Sequence, residues 1–294
     1  MDFARITDAV PEARLKAGLY VTATPIGNAA DLTLRALQVL KSVDAILCED
    51  TRVTAKLLAL YGISKPLLAY HDRNGERMRP QILADLEAGK ALALVSDAGL
   101  PLISDPGFPL LRAVRDHGHR VEVLPGANAA LTGLVQSGLG TDRFFFGGFL
   151  PSKAKARQDT LREISTIRGT LIFYESPKRL ATVLGDIAAA LGDRDVAVTR
   201  ELTKKFEEIR CGKPKALAEL YEQEGAPRGE VVLVIGPPAD RPEMDEAALL
   251  VALEEAMQTR RLKEAVADVT ALSGLPRKQV YDLALKLKRR GTEE

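Results

Sequence analysis

Charged side chains crowd together at Glu49-Asp50-Thr51-Arg52, directly after the apolar run VDAILC. A carboxylate steadied by a guanidinium is well placed to take a proton, so Asp50 or Glu49 is a candidate general base with Arg52 as its orienting partner. The same residues also suit a plainer task, since acids favour the positive end of a helix macrodipole. A second stretch, SDAGLPLISDPG at residues 96–107, follows the apolar ALAL and carries Asp97, Gly99, Pro101 and Asp105. Its polar residues fall where a buried strand leaves a sheet, the place where α/β proteins bind ligands. Residues 24–28 (TPIGN) and 125–129 (PGANA) hold corresponding positions after GLYVTA and RVEVL. Glycine, proline and small polar residues make tight turns there, and they also let backbone amides and carbonyls approach a ligand closely. If the strands run parallel, all these loops leave the same edge.

The loops exclude some ligands. TPIGNAADLT has neither the Lys-Ser/Thr of a P-loop nor a G-x-G-x-x-G, so a dinucleotide or ATP site of those types is not expected. A ligand held by backbone contacts and a few carboxylates fits better; S-adenosylmethionine, with its adenosine and zwitterionic amino acid, has that character, as do other ligands of that kind. Three histidines and two cysteines (His71, His117, His119, Cys48, Cys211) without paired spacing make a poor zinc inventory, and no metal site is expected. Glu175 in FYESPKR and Glu201 in RELTKKFEE are either ligand contacts or polar strand ends facing water.

Strand-like and helix-like segments alternate from Gly18 onward, which implies crossover connections and a mostly parallel sheet. GLYVTA, VDAILCED, KPLLAY, ALALVS and RVEVLP read as its strands. After residue 125 the rhythm changes. TLIFYES, DVAVTREL, FEEIRCG and GEVVLVIG arrive partly without intervening helices, so a second α/β domain with a mixed sheet is expected. The expected organisation is a loose leader (1–17), an N-terminal α/β domain (18–124), a C-terminal α/β domain (125–236) and a linker rich in proline and charge (237–246). A helical, helix-turn-helix-like extension (247–294), broken at Ser273-Gly274, completes it.

Forty-one Lys and Arg against 40 Asp and Glu leave a net charge of +1, so a nucleic-acid partner would have to be held by local patches. Lys153, Lys155, Arg157 and Arg162 form one such patch, and Arg277, Lys278, Lys286, Lys288, Arg289 and Arg290 another. A solvated helical hairpin is the competing account of the second. No apolar run approaches a membrane span, and unpaired cysteines suit a reducing compartment, so a soluble cytoplasmic protein is expected.

LYVTATPIGNAADLTLRAL, CEDTR, LVSDAGLPLISDPG, LPGANAALTGLVQSGL, GFLPSK, TLIFYESPKRL, RELTKKFEE and GEVVLVIG occur in this order between about Gly18 and Gly236. Together they resemble the ribosomal RNA small subunit methyltransferase I family of the tetrapyrrole methylase superfamily. That resemblance implies two α/β domains with S-adenosylmethionine between them. It also implies 2′-O-methylation of a cytidine ribose in the decoding region of 16S ribosomal RNA within the small subunit, and a homodimer.

Carried over by motif, the cofactor residues are Gly99, Leu100, Pro101 and Ile103, then Gly126, Ala127, Asn128 and Ala129. Phe173, Tyr174, Leu202, Glu230 and Val231 complete them. The substrate side is implied to be Thr24, Pro25, Gly27, Asn28 and Asp105, with Glu49, Asp50 and Arg52, and with Lys153, Lys155 and Arg157 on the RNA. Leu100 stands where the family commonly has Thr, and Val53 where it commonly has His, so a hydroxyl contact and a histidine base are missing at those spots. A tetrapyrrole or other small-molecule methylase, and a non-catalytic ribosome-assembly factor, are the alternatives.

Overall fold

The computed structural model describes residues 3–239, 246–273 and 275–290, without side-chain detail at 271, 289 and 290. It divides into two compact units, Met1–Pro237 and Pro238–Glu294.

The first sheet of the larger unit contains β1 (Gly18–Thr22), β2 (Ala45–Cys48), β3 (Leu67–Ala69), β4 (Ala91–Leu94) and β5 (Val121–Leu124) in the order β3-β2-β4-β1-β5. Every pairing is parallel. Its central strands are continuous apolar runs because both faces are covered. On one face Tyr20, Ile46 and Ala93 pack against Leu37 and Leu40 of α2 (Leu34–Ser42) and Leu58 of α3 (Thr51–Leu60). On the other, Leu19, Val21, Leu47 and Leu92 meet Ile82 and Leu86 of α4 (Gly75–Glu87) and Leu110 and Val114 of α5 (Phe108–Asp116). Thr33 caps α2 by accepting from the Ala36 amide.

The leader is not loose. Residues Phe3–Ala9 form helix α1, with Phe3 and Ile6 packed on the first core and the Phe3 ring 5.2 Å from that of Tyr61. Lys41 Nζ donates to the carbonyls of Thr7 and Val10. A helix this short has no stability of its own, so its sequence period is weak and tertiary contacts form it.

The second sheet contains β6 (Phe144–Phe149), β7 (Thr170–Glu175), β8 (Val196–Arg200), β9 (Glu208–Gly212) and β10 (Val231–Ile235), ordered β6-β7-β10-β8-β9. Only β6 and β7 are parallel; the other pairs are antiparallel, so the sheet is mixed as expected. Helix α6 (Ala129–Gln136), entered directly from the first sheet, covers one face with Ala130 and Leu134 over Ile172, Val232 and Val234. A Cβ at Gly133 would lie 2.9 Å from Thr199 Oγ1, so glycine permits this close approach. The other face is covered by α7 (Ala154–Glu163), α8 (Leu180–Leu191) and α9 (Pro214–Glu224) around Leu161, Phe173, Val183, Ile187 and Leu233.

The smaller unit holds α10 (Glu246–Thr259), α11 (Leu262–Ser273) and α12 (Arg277–Arg290) around Leu249, Leu253, Val266, Val269 and Val280. The expected break lies between α11 and α12, with Gly274 outside the described residues. A further break at residues 260–261 was not expected; there the Glu264 carboxylate accepts from the Arg261 amide at 3.3 Å. No described helix is long and apolar enough to cross a membrane.

Candidate active site

Parallel strands send their carboxyl ends to one edge, and there the loops after β1, β2, β4 and β5 gather. The first contact is between loops. Thr24 and Gly99 exchange backbone hydrogen bonds of 2.9 and 3.0 Å, and the Thr24 hydroxyl donates to the Ser96 carbonyl at 3.0 Å. Gly99 sits at φ +84, a conformation that side chains disfavour. Leu102 (φ 75) and Ser104 (φ 64) take left-handed backbone on either side of Ile103. The loop after β8 repeats this device, with Glu201 (φ 52) and Thr203 (φ 65) flanking Leu202. Such conformations cost ~1–3 kcal/mol each and persist only where surrounding structure enforces them, commonly at ligand sites.

Ile103 and Leu202, so presented, line one cavity of about 350 Å³. From the first sheet come Gly99, Leu100, Asp105, Asn128 and Ala129; from the second come Tyr174, Glu230 and Val231. The volume and the mixture of apolar walls with a few polar groups suit an adenosine-sized ligand. Asn128 also caps α6, accepting from the Leu131 amide at 3.0 Å.

Four residues carried over for the cofactor do not line the cavity. Pro101 and Ala127 stand beside it in the loops, and Gly126 lies against Ala23, where a Cβ would come within 2.6 Å. Phe173 is turned to the opposite face of β7, buried under Gly147 in the helix-covered core. Strand alternation explains it: Tyr174 and Phe173 cannot face the same side. Ile26, Ser104, Phe149, Gly229 and Val232 line the cavity and were not singled out from the sequence. Val232 was findable as the residue next to Val231, and Ile26 as the apolar member of TPIGN.

Glu49, Asp50 and Arg52 lie outside this cavity. Asp50 is the N-cap of α3, accepting from the Arg52 amide at 2.8 Å and from the Arg52 guanidinium at 3.0 and 2.6 Å. These bonds hold its carboxyl well below the usual range, so it is a poor proton acceptor. Glu49 lines a neighbouring hollow with His71, Asp72, Arg73 and Pro106. Burial first, then the charges of Asp97 and Asp72, push its carboxyl up. Asp105 is moved furthest up of these acids: burial, with help from the Glu49 and Asp97 charges and against the Ser96 hydroxyl, brings it to about 6.

The remaining substrate-side residues separate into two groups. Lys153 and Lys155 are exposed at the start of α7, free to meet a large anion. Arg157 is a correction: its side chain is 4% exposed, and it donates to Asp186 and to the Pro151 and Ser152 carbonyls. It holds α7 to α8 and is closed to RNA. Asn28 accepts from the Ala30 amide, Gly27 packs against the 202–204 turn, and Thr24 is buried. These residues and Pro25 shape the loop, while Ile26 alone of that loop reaches the cavity. Glu201 accepts from the Glu230 amide at 3.0 Å and from Lys204, and Glu175 is buried beside Arg179. Glu175 also lines the cavity, and Glu201 stays partly exposed.

Among the described residues no group of three or more His, Cys, Asp or Glu could hold a metal ion.

The parallel and mixed sheets, joined through α6, send loops to one cavity, and a family model described as Tetrapyrrole (Corrin/Porphyrin) Methylases matches residues 18–218. Solved structures agree on the fold. A uroporphyrin-III-C-methyltransferase from Thermus thermophilus superposes with TM-score 0.55 at 22% identity, over 75% of this chain and 94% of that one. A diphthine synthase gives 0.59 at 12% identity, over 74% and 89%. A further structure of the Thermus thermophilus enzyme, complexed with S-adenosylhomocysteine, gives 0.53 at 20% identity over 74% of this chain and 97% of that one. A second family model, the RsmI C-terminal HTH domain, matches residues 243–288.

Whole-chain relatives narrow the class. Ribosomal RNA small subunit methyltransferase I of Erythrobacter litoralis is 48% identical, covering 93% of this chain and 96% of its own. The proteins of the same name from Mesorhizobium japonicum and Bacillus subtilis are each 44% identical, over 95% and 95%, and over 90% and 92%, of the two chains. The chain belongs to the ribosomal RNA small subunit methyltransferase I family.

Proposed function

We propose that this protein transfers a methyl group from S-adenosylmethionine to the ribose 2′-oxygen of a cytidine in the decoding region of 16S ribosomal RNA. Family membership supports methylation of small-subunit ribosomal RNA with this donor. The observation that carries the site is a cavity to which both sheets contribute, with Ile103 and Leu202 each presented by strained backbone. The donor supplies an electrophilic methyl carbon on sulfonium. Ile26, Leu202, Val231 and Val232 would hold its apolar parts, and the loop at 98–100 would offer backbone hydrogen bonds. Asp105 and Glu230 add carboxylates, and Lys204 ion-pairs with Glu230 at 2.9 Å. In-line displacement depends chiefly on orientation, worth as much as ~7–11 kcal/mol in the best cases.

Lys153 and Lys155, with Arg277, Lys278 and Lys286 on the helical unit, supply cations for RNA phosphates. The Arg289 and Arg290 side chains lie outside the described residues. A homodimer would cover exposed apolar side chains such as Leu131 and Val135 on α6 and Phe206 beyond β8. A ribosomal substrate supports a cytoplasmic location. Mass spectrometry of 16S ribosomal RNA from cells lacking the gene tests this function. One ribose methyl should be missing from a cytidine and return on complementation; an unchanged methylation pattern would refute it.

A further inference from the structure

The acceptor hydroxyl must lose a proton as it attacks, and the cavity identifies where that proton goes. A ribose hydroxyl is a weak nucleophile at neutral pH, so a general base within hydrogen-bond reach adds a factor of ~10²–10⁴. Such a base has to border the cavity, be free of cationic partners and accept a proton near neutrality.

The carboxylates at this edge fail these conditions one by one until a single one is left. Asp50 is outside the cavity and closed by Arg52. Asp97 is not on the cavity wall and is occupied by the Asp50 amide at 3.2 Å. Glu49 opens into the neighbouring hollow. Glu230 and Glu175 are on the wall but ion-paired, to Lys204 at 2.9 Å and to Arg179 at 3.3 Å. Tyr174 is on the wall too, and burial pushes its phenol up, so it keeps its proton.

Asp105 is on the wall, half-buried, next to the strained Ser104, with the Ser96 hydroxyl beside it and no ion-pairing cation among the described residues. The groups facing it are Glu49 from the end of β2, Asp97 and Ser96 from the end of β4, and Tyr174 from β7 across the cavity. None is cationic. Pro106, the next residue, lines the hollow that holds Glu49, so Asp105 stands between the cavity and that hollow.

We propose that the Asp105 carboxylate is the general base for methyl transfer, a role that rests on the cavity being the donor site. As the 2′-oxygen to methyl-carbon bond forms, the carbon–sulfur bond breaks and its electron pair stays on sulfur. The hydroxyl proton passes to Asp105, and S-adenosylhomocysteine leaves as the neutral thioether.

The test uses the full-length protein and two readouts. Carbon-13 NMR of labelled aspartate, assigned with D105N, should show Asp105 titrating near 6, and lower in E49Q, where a repelling charge is gone. Single-turnover methylation of small ribosomal subunits should show an acid limb with the same midpoint, moving to lower pH in E49Q. Asp105→Asn should lose ~10²–10⁴-fold in rate while retaining S-adenosylhomocysteine affinity and melting cooperatively, and Asp105→Glu should regain part of the rate. A folded, donor-binding D105N within a few-fold of wild type, or an acid limb unmoved by E49Q, would overturn the assignment. If the wild-type protein itself methylates no ribose, the proposed function fails instead.

Discussion

At the residue scale the two kinds of acid at this edge behave oppositely, and the difference lies in their partners. Asp50 gives its oxygens to Arg52 and the start of α3, whereas Asp105 is kept among other acids in a half-buried place. That placement opposes folding. With Asp105 pushed up to about 6 from an ordinary 3.8, the folded chain binds a proton between these values that the unfolded chain does not. Asp105 therefore makes stability fall as pH rises from about 4 through about 6. Asp105→Asn should raise the melting temperature at pH 7.5, and the gain should shrink toward zero by pH 4; calorimetry at the two pH values measures it. A mutation that stabilises the fold while removing activity marks a residue retained for chemistry. No rise at pH 7.5 would show that Asp105 is not held at a cost.

Individual elements depend on buried contacts that a charge count does not reveal. Arg157 joins α7 to α8 through Asp186, with side chains 4% and 13% exposed. Removing one partner of a buried pair leaves the other uncompensated, so Arg157→Ala should destabilise the protein by about 3–5 kcal/mol. Replacing both partners with apolar residues should cost less, and urea unfolding of the two variants makes the comparison. A loss under 1 kcal/mol for Arg157→Ala would mean the pair contributes little.

The sequence contained the clue, because Arg157 and Leu161 are four apart and share the inward face of α7. The strands of the first sheet and the four loops were legible from apolar runs ending in Gly, Pro and small polar residues. Strand β6 was not, since none of FFFGGF is fully buried and its register shifts between Phe146 and Phe149. The choice between Phe173 and Tyr174 was also beyond reach. In a strand covered on both sides neither face is polar, so nothing in the pattern tells which residue turns to the cavity.

For the whole molecule, the division into two compact units puts the proposed donor site and the cations of the helical extension in different units. The cavity residues all lie within Met1–Pro237, and Arg277, Lys278 and Lys286 within Pro238–Glu294. A chain ending at residue 237 should bind S-adenosylhomocysteine as the full chain does. Its affinity for small ribosomal subunits should fall, and the slope of log K against log salt should decrease by ~0.7–0.9 for each phosphate that the shortened chain no longer neutralises. An unchanged salt slope would assign the helical unit a packing role, the solvated-hairpin account considered from its sequence. The parallel and mixed sheets and the helical extension were each expected from patterning. How two sheets share one compact unit was not, because it depends on α6 leaving the first sheet and packing on the second.

The most direct measurement is a crystal structure of the full-length protein grown with S-adenosylhomocysteine. The ligand should lie in the cavity against Gly99, Ile103, Leu202 and Val231, with its sulfur turned toward the side on which Asp105 stands. Density for the ligand elsewhere, with this cavity filled only by solvent, would contradict the account at its centre.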